Sequence, residues 1–166
     1  DLYGHSMGGA VAIELAGLLG PIAGSLVLSE ANLDPGGGTF SREIAAVTEG
    51  EYLSTGHARM IRRALIGGGS DWAAMMRAAA PLAVHRGAAA LVAGTPAGAP
   101  TWRAQLAAPP PKSCFLFGSR SLPDPDAEAL PAAGIPVAMV PEAGHSMSTE
   151  APAALAQAIA QALSRA

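Results

Sequence analysis

Near the start of the chain, Gly4-His5-Ser6-Met7-Gly8 fits G-x-S-x-G, a pattern that sets a nucleophilic serine on a tight turn between a strand and a helix. A serine hydroxyl is a weak nucleophile by itself. It needs a base to take its proton and donors to stabilise the oxyanion that its attack creates. The glycines suit that geometry, because the turn is strained and a side chain two positions before or after Ser6 is expected to clash. The turn also places Ser6 at the start of the next helix, where backbone N–H groups favour developing negative charge. The Met7 N–H is therefore the expected oxyanion donor. G-x-S-x-G alone recurs by chance, but here a short apolar lead-in, a long apolar run and a distant Gly144-His145 accompany it.

These residues need a scaffold. Asp1-Leu2-Tyr3 reads as the end of a buried strand, and Met7 to Leu19 as a helix buried on most of its surface, with Glu14 its sole charge. Gly20-Pro21 ends that helix. Ser25 to Ser29, Ser113 to Phe117 and Val137 to Val140 have the length and apolarity of interior parallel strands. Helices are expected at Asp126 to Ala133 and from Pro152 to about Arg165. Strand and helix alternate, which is the α/β signature. Between Asn32 and Pro111 the pattern changes to Gly36-Gly37-Gly38, Gly67-Gly68-Gly69 and Pro109-Pro110-Pro111, with helical patches at Ser41 to Val47, His57 to Leu65 and Asp71 to Ala79. No Gly-Lys-Ser/Thr follows either glycine triplet, so neither is a phosphate cradle.

With Gly-His-Ser-Met-Gly-Gly as the elbow and PVAMVPEAGHSMSTEAPAALAQAIAQAL as the last strand, histidine loop and terminal helix, the whole chain resembles the second half of an α/β-hydrolase fold protein. The resemblance implies a partial α/β-hydrolase fold: a mainly parallel sheet with flanking helices and an inserted helical cap. Residues 1–31 and 112–166 would be the core, with its N-terminal strands absent, and 32–111 the cap and its linkers. It implies His145 as general base, on a loop at the carboxyl end of the sheet, where ligands bind in open α/β folds. Imidazole titrates near neutrality and can take the Ser6 proton and return it to a leaving group. The acid is less direct. The commonest family position lies three residues after the glycine that ends the penultimate strand, and here Gly118-Ser119-Arg120-Ser121 places a serine there. Two carboxylates remain: Glu30, at the end of the strand after the elbow, where some relatives such as haloalkane dehalogenases carry their acid, and Asp124, three residues beyond Ser121. Glu30 is preferred, since a carboxylate ending an apolar strand is costly to bury unpaired. The second oxyanion donor of the family comes from an earlier loop, so the chain is expected to be a C-terminal fragment of a longer enzyme.

The chemistry expected is serine hydrolysis of a small ester, amide or related acyl substrate through an acyl-enzyme. Acyl transfer or carbon–carbon bond hydrolysis on the same three residues is the alternative, and a non-catalytic binding protein ranks last because serine, histidine and carboxylate are all available. Composition narrows the rest. The 166 residues suffice for one sizeable core, and 50% hydrophobic against 14% charged residues argue for a folded chain. Ten scattered basic residues in a net charge of −3 do not form a nucleic-acid footprint. His5, His57, His85 and His145 lack metal-ligand spacing, so neither metal nor cofactor is expected. His5, beside the nucleophile in sequence, is expected to point away into packing. His57 and His85 are expected to be structural or surface residues of the cap. Trp72, Met75, Met76 and Trp102 are expected to be cap-core or pocket residues. Cys114 reads as an inert strand residue. No apolar stretch is long enough to cross a bilayer, and a cytoplasmic location is expected.

Overall fold

The structure is a computed structural model that describes residues 1–108 and 112–165; the proline run 109–111 of the expected linker lies outside the described residues. Its described residues form two compact units. One contains Asp1–Asp34 and the chain from Gly98 onward, the other Pro35–Ala97.

The first unit is built on β1 (Leu2–His5), β2 (Ser25–Ser29), β3 (Lys112–Gly118) and β4 (Val137–Val140), in the spatial order β1-β2-β3-β4 with every pairing parallel. Parallel neighbours need crossovers, and α1 (Met7–Leu19) and α8 (Asp126–Ala132) supply two of them. All five residues of β2 are buried, as expected for a strand covered on both faces. Alternation divides its side chains. Val27 joins Leu116, Val140, Ala143, Met147, Leu155 and Ala162 under α10 (Pro152–Arg165), while Leu26 faces Ile13 and Ala16 of α1. On β3, Phe115 and Phe117 are paired with ring centroids 4.8 Å apart.

α1 is less covered than its sequence predicts. It buries only the small stripe Gly9, Ala10, Ala12, Ile13 and Ala16 against β1, β2 and α7 (Trp102–Ala107). Val11 and Leu18 are 61% and 85% exposed, and nothing among the described residues packs over that side. Uniform apolarity gave no polar face to mark this. Glu14 accepts a hydrogen bond from the Trp102 indole N–H at 3.0 Å, which ties α1 to α7. Trp102, expected in the insertion, is thus a core residue of the first unit. Arg103 pairs with both Asp34 and Asp126, joining the segment after β2 to the start of α8.

The second unit holds α2 (Thr39–Ala45), α3 (Glu49–Glu51), a π-helical turn (Tyr52–Gly56), α4 (His57–Ile66), α5 (Ser70–Ala78) and α6 (Pro81–Ala93). Its core gathers Ile44, Tyr52, Met60 and Ala88, with Trp72 packed against them. Met76 is buried, but Met75 is 60% exposed. His57 and His85 are both buried beside Tyr52. A carbonyl only accepts, so His57 donates from Nε2 to Met76 O at 3.0 Å, and its Nδ1 accepts from the Tyr52 hydroxyl at 3.0 Å. His85 donates from Nε2 to Val47 O at 2.9 Å. Both are structural histidines.

Candidate active site

The carboxyl ends of the four strands converge on one cluster. Ser6 follows β1 directly, and its backbone is left-handed, with φ 52° and ψ −123°. That conformation is uncommon for a residue with a Cβ and needs support from its surroundings. β2 and the segment after it give that support: Ser6 N–H donates to Ser29 O at 3.0 Å, and Asn32 N–H donates to Ser6 O at 3.2 Å. The steric need for glycine falls on Gly4 and Gly9. A Cβ on Gly4 would lie 2.6 Å from Gly8 O and 2.7 Å from Gly9 Cα, and one on Gly9 would collide with the Ala31 side chain. Gly8 corrects the expectation from the motif, because a Cβ there meets nothing within 4 Å among the described residues. The Met7 N–H is the first amide of α1, and no earlier helical turn accepts it.

Glu30 directly follows β2, also with positive φ, 40°, and His145 lies on the loop between β4 and α9 (Met147–Glu150). The structure brings Ser6, Glu30 and His145 together. His145 Nε2 is 3.1 Å from Ser6 Oγ, and its Nδ1 is 2.8 Å from Glu30 Oε2. A carboxylate only accepts, so Nδ1 carries the proton and Nε2 presents a lone pair to the serine hydroxyl. Glu30 Oε1 accepts from the Gly118 N–H at 3.0 Å. Burial of Glu30 pushes its carboxyl pKa up, but hydrogen bonds from His145, Ser121 and the Gly118 N–H outweigh that and hold it below the ordinary value. Ser121, which occupies the family's commonest acid position, thus stabilises the carboxylate that reaches His145. Asp124 is elsewhere. Its Oδ1 accepts from the Asp126 N–H at 2.8 Å, at the start of α8.

His5 does not point away. Its ring lies against the His145 ring, with centroids 4.8 Å apart and planes tilted by 46°. His5 Nδ1 faces the Ser29 carbonyl at 3.1 Å and Ser29 Oγ at 3.0 Å, and Ser29 Oγ is 2.7 Å from the Tyr3 hydroxyl. The carbonyl requires a proton on Nδ1. Burial, and then the neighbouring His145, hold the His5 imidazole below the ordinary histidine pKa, so it flanks His145 as a neutral ring. Strand alternation contains the signal for part of this network. Tyr3 and His5 are two apart on β1, and His5 is the register partner of Ser29.

The histidine loop is fixed against β3. A Cβ on Gly118 would collide with the Ala143 carbonyl and lie 2.6 Å from Gly144 O, so only glycine lets the two backbones meet there. Arg120 N–H donates to Ala143 O at 2.8 Å, and Glu142 N–H to Ser119 Oγ at 3.0 Å. A separate cavity of about 510 Å³ opens at the opposite, amino ends of β2, β3 and β4, lined by Leu26, Ser113, Ile135 and Val137, and takes no part in this cluster. Among the described residues no group of histidine, cysteine and carboxylates is placed to hold a metal ion. No helix among them is long and apolar enough to cross a membrane.

Residues 1–158 match the model of the alpha/beta hydrolase family. A search of the curated proteins finds no match for this sequence. Among solved structures, the chain is similar to an alpha/beta hydrolase fold protein from Burkholderia ambifaria, with a TM-score of 0.66 at 24% identity, over 95% of this chain and 63% of that one. It is also similar to NosK from Streptomyces actuosus, with a TM-score of 0.56 at 23% identity, over 100% of this chain and 69% of that one. At these identities the likeness is one of fold.

Proposed function

Because the chain belongs to the alpha/beta hydrolase family, we propose that it is a serine hydrolase that cleaves a small ester, amide or related acyl substrate through an acyl-enzyme. One observation carries the proposal: the continuous hydrogen-bonded path from Ser6 Oγ to His145 Nε2, and from His145 Nδ1 to Glu30. In acylation, Ser6 Oγ attacks the acyl carbon while its proton passes to His145 Nε2. The resulting imidazolium is balanced by the Glu30 carboxylate across 2.8 Å. The tetrahedral oxyanion is stabilised by the Met7 N–H at the head of α1. Collapse breaks the bond to the leaving group, which takes the proton from Nε2. Water then attacks the acyl-enzyme, giving its proton to Nε2; collapse breaks the Oγ–acyl bond, Ser6 Oγ takes the proton back from Nε2, and the acid is released. His145 is 56% exposed at its side chain, so water reaches the base from the described unit.

The substrate is a small acyl compound, and neither cofactor nor metal is required by these steps. The decisive experiment is covalent labelling with a fluorophosphonate, followed by a panel of nitrophenyl esters of increasing acyl length. Ser6→Ala should abolish labelling and ester turnover while leaving the circular dichroism spectrum unchanged. Undiminished labelling of that variant would remove Ser6 from the mechanism.

A further inference from the structure

Both amides that flank His145 end on one side chain. Glu150 Oε2 accepts from the Gly144 N–H at 2.6 Å, and Glu150 Oε1 accepts from the Ser146 N–H at 3.2 Å. Glu150 is the last residue of α9, a helix of a single turn, and its carboxylate folds back across that turn to reach the loop before it. The helix itself is anchored by Met147, which is fully buried with Val140, Ala143 and Leu155. Upstream, the loop is held to the turn after β3 through Ala143 O and Glu142 N. Between those anchors and Met147, the Gly144 and Ser146 amides are held by Glu150.

We propose that Glu150 is a positioning residue for His145, a clasp whose two carboxylate oxygens fix the peptide units on either side of the imidazole. The proposal rests on the reading of His145 as general base. The geometry gives the reason. The ring must keep Nδ1 on Glu30 and Nε2 on Ser6 at once, at 2.8 and 3.1 Å, and rotation or translation of its backbone spoils one contact or both. A displacement of about 1 Å at a reacting group costs on the order of 10²-fold in rate. Charged acceptors bind backbone amides more strongly than neutral ones, which suits a carboxylate to this task. A simpler role is also available, since a glutamate reaching back to the amide of an N-cap residue resembles a capping box. A plain cap, however, accounts for Ser146 and not for Gly144, which lies before the helix and on the other side of His145. Arg120 approaches Glu150 no closer than 3.8 Å and is exposed, so its charge adds little to the clasp.

The test compares Glu150→Ala and Glu150→Gln with the parent, Ser6→Ala and His145→Ala in the whole protein, using a nitrophenyl ester and a fluorophosphonate. A glutamine keeps one acceptor oxygen and turns an amide NH₂ towards the other N–H, so it should lose one of the two bonds. For Glu150→Ala we expect kcat and the rate of phosphonylation to fall by about 10²-fold with KM little changed. Glu150→Gln should fall between it and the parent. In proton NMR, the downfield resonance of the His145 Nδ1–H should broaden or vanish in Glu150→Ala at a temperature where the variant is fully folded, a change that a cap for α9 alone would not produce. Parental kcat in a folded Glu150→Ala, or activity loss that only follows the unfolded fraction, would overturn the proposal. If Glu150→Ala does not fold, Glu150→Gln decides: reduced kcat with a folded spectrum supports the clasp, and parental kcat removes it. Full activity in His145→Ala would instead remove the underlying reading of the site, so the two failures are distinct.

Discussion

Glu30 and His145 are separated by 115 positions in the chain, yet Glu30 Oε2 lies 2.8 Å from His145 Nδ1. The contact crosses the sheet from the end of β2 to the loop after β4, over the end of β3, and the Gly118 N–H at that end holds the other carboxylate oxygen. In the proposed mechanism, a carboxylate in this position would orient the imidazole and balance the charge it gains when Ser6 gives up its proton.

We predict that Glu30→Gln lowers kcat by about 10⁴-fold, since the amide cannot balance an imidazolium and favours the wrong tautomer. Asp124→Asn should leave kcat near the parent value. An asparagine keeps an acceptor oxygen for the Asp126 N–H at the first turn of α8, so stability should change by less than about 0.5 kcal/mol. Ester turnover and thermal melts of the two variants separate the roles, and the reverse ranking of kcat would reassign the acid.

Ser121 stands at the family's commonest acid position and already stabilises the Glu30 carboxylate. Adding Ser121→Asp to Glu30→Gln should therefore restore part of the lost kcat by returning a carboxylate to the neighbourhood of His145. A double variant no more active than Glu30→Gln would show that the turn after β3 cannot deliver an acid to this ring.

The pH dependence of stability should show two limbs of the same sign. His5 is held below its ordinary 6.5 in the folded chain, where it faces His145, Glu30 and Ser29, whose Oγ also meets the Tyr3 hydroxyl. Below 6.5 the unfolded chain takes a proton that the folded chain refuses, so stability falls as pH drops from there towards the lowered value. The Glu30 carboxyl is held below its ordinary 4.5. Its contribution is complete above that pH and is lost as pH falls through the depressed value. Denaturant midpoints measured across both windows should lose the upper slope in His5→Gln and the lower slope in Glu30→Gln. An unchanged upper slope in His5→Gln would count against a neutral, half-buried His5.

The glycines of the elbow should differ sharply. Gly4→Ala and Gly9→Ala place a Cβ against backbone or against Ala31 and should each destabilise by more than about 2 kcal/mol. Gly8→Ala meets open space at the second position of α1 and should be neutral or stabilising by up to about 1 kcal/mol. Equal losses at positions 4 and 8 would contradict the packing described for the turn.

Much of the scaffold was legible because its signals are local. The elbow motif marked the passage from β1 to α1, and the apolar runs marked β2, β3 and β4. α6 was not legible, since Pro81–Ala93 is rich in alanine and shows no clean polar face. The covered side of α1 was hidden for the same reason: apolarity all round does not say which stripe is buried. His5 was misread by strand alternation, which puts it opposite Ser6. At φ 52° the chain leaves the strand at Ser6, and alternation no longer governs where the two side chains lie. The approach of Glu150 to the histidine loop depends on a backbone path that spacing alone does not give.

The left-handed backbone at Ser6 also restricts which nucleophiles this elbow accepts. An unbranched side chain keeps one heavy atom on Cβ and can follow the serine rotamer, so Ser6→Cys should fold and form a thioester from an activated ester. Threonine adds a methyl at the position where φ 52° leaves least room for a β-branch. Ser6→Thr, the milder exchange by side-chain chemistry, should therefore be the more damaging by fold stability, and a melting temperature for Ser6→Thr at or above that of Ser6→Cys would refute this.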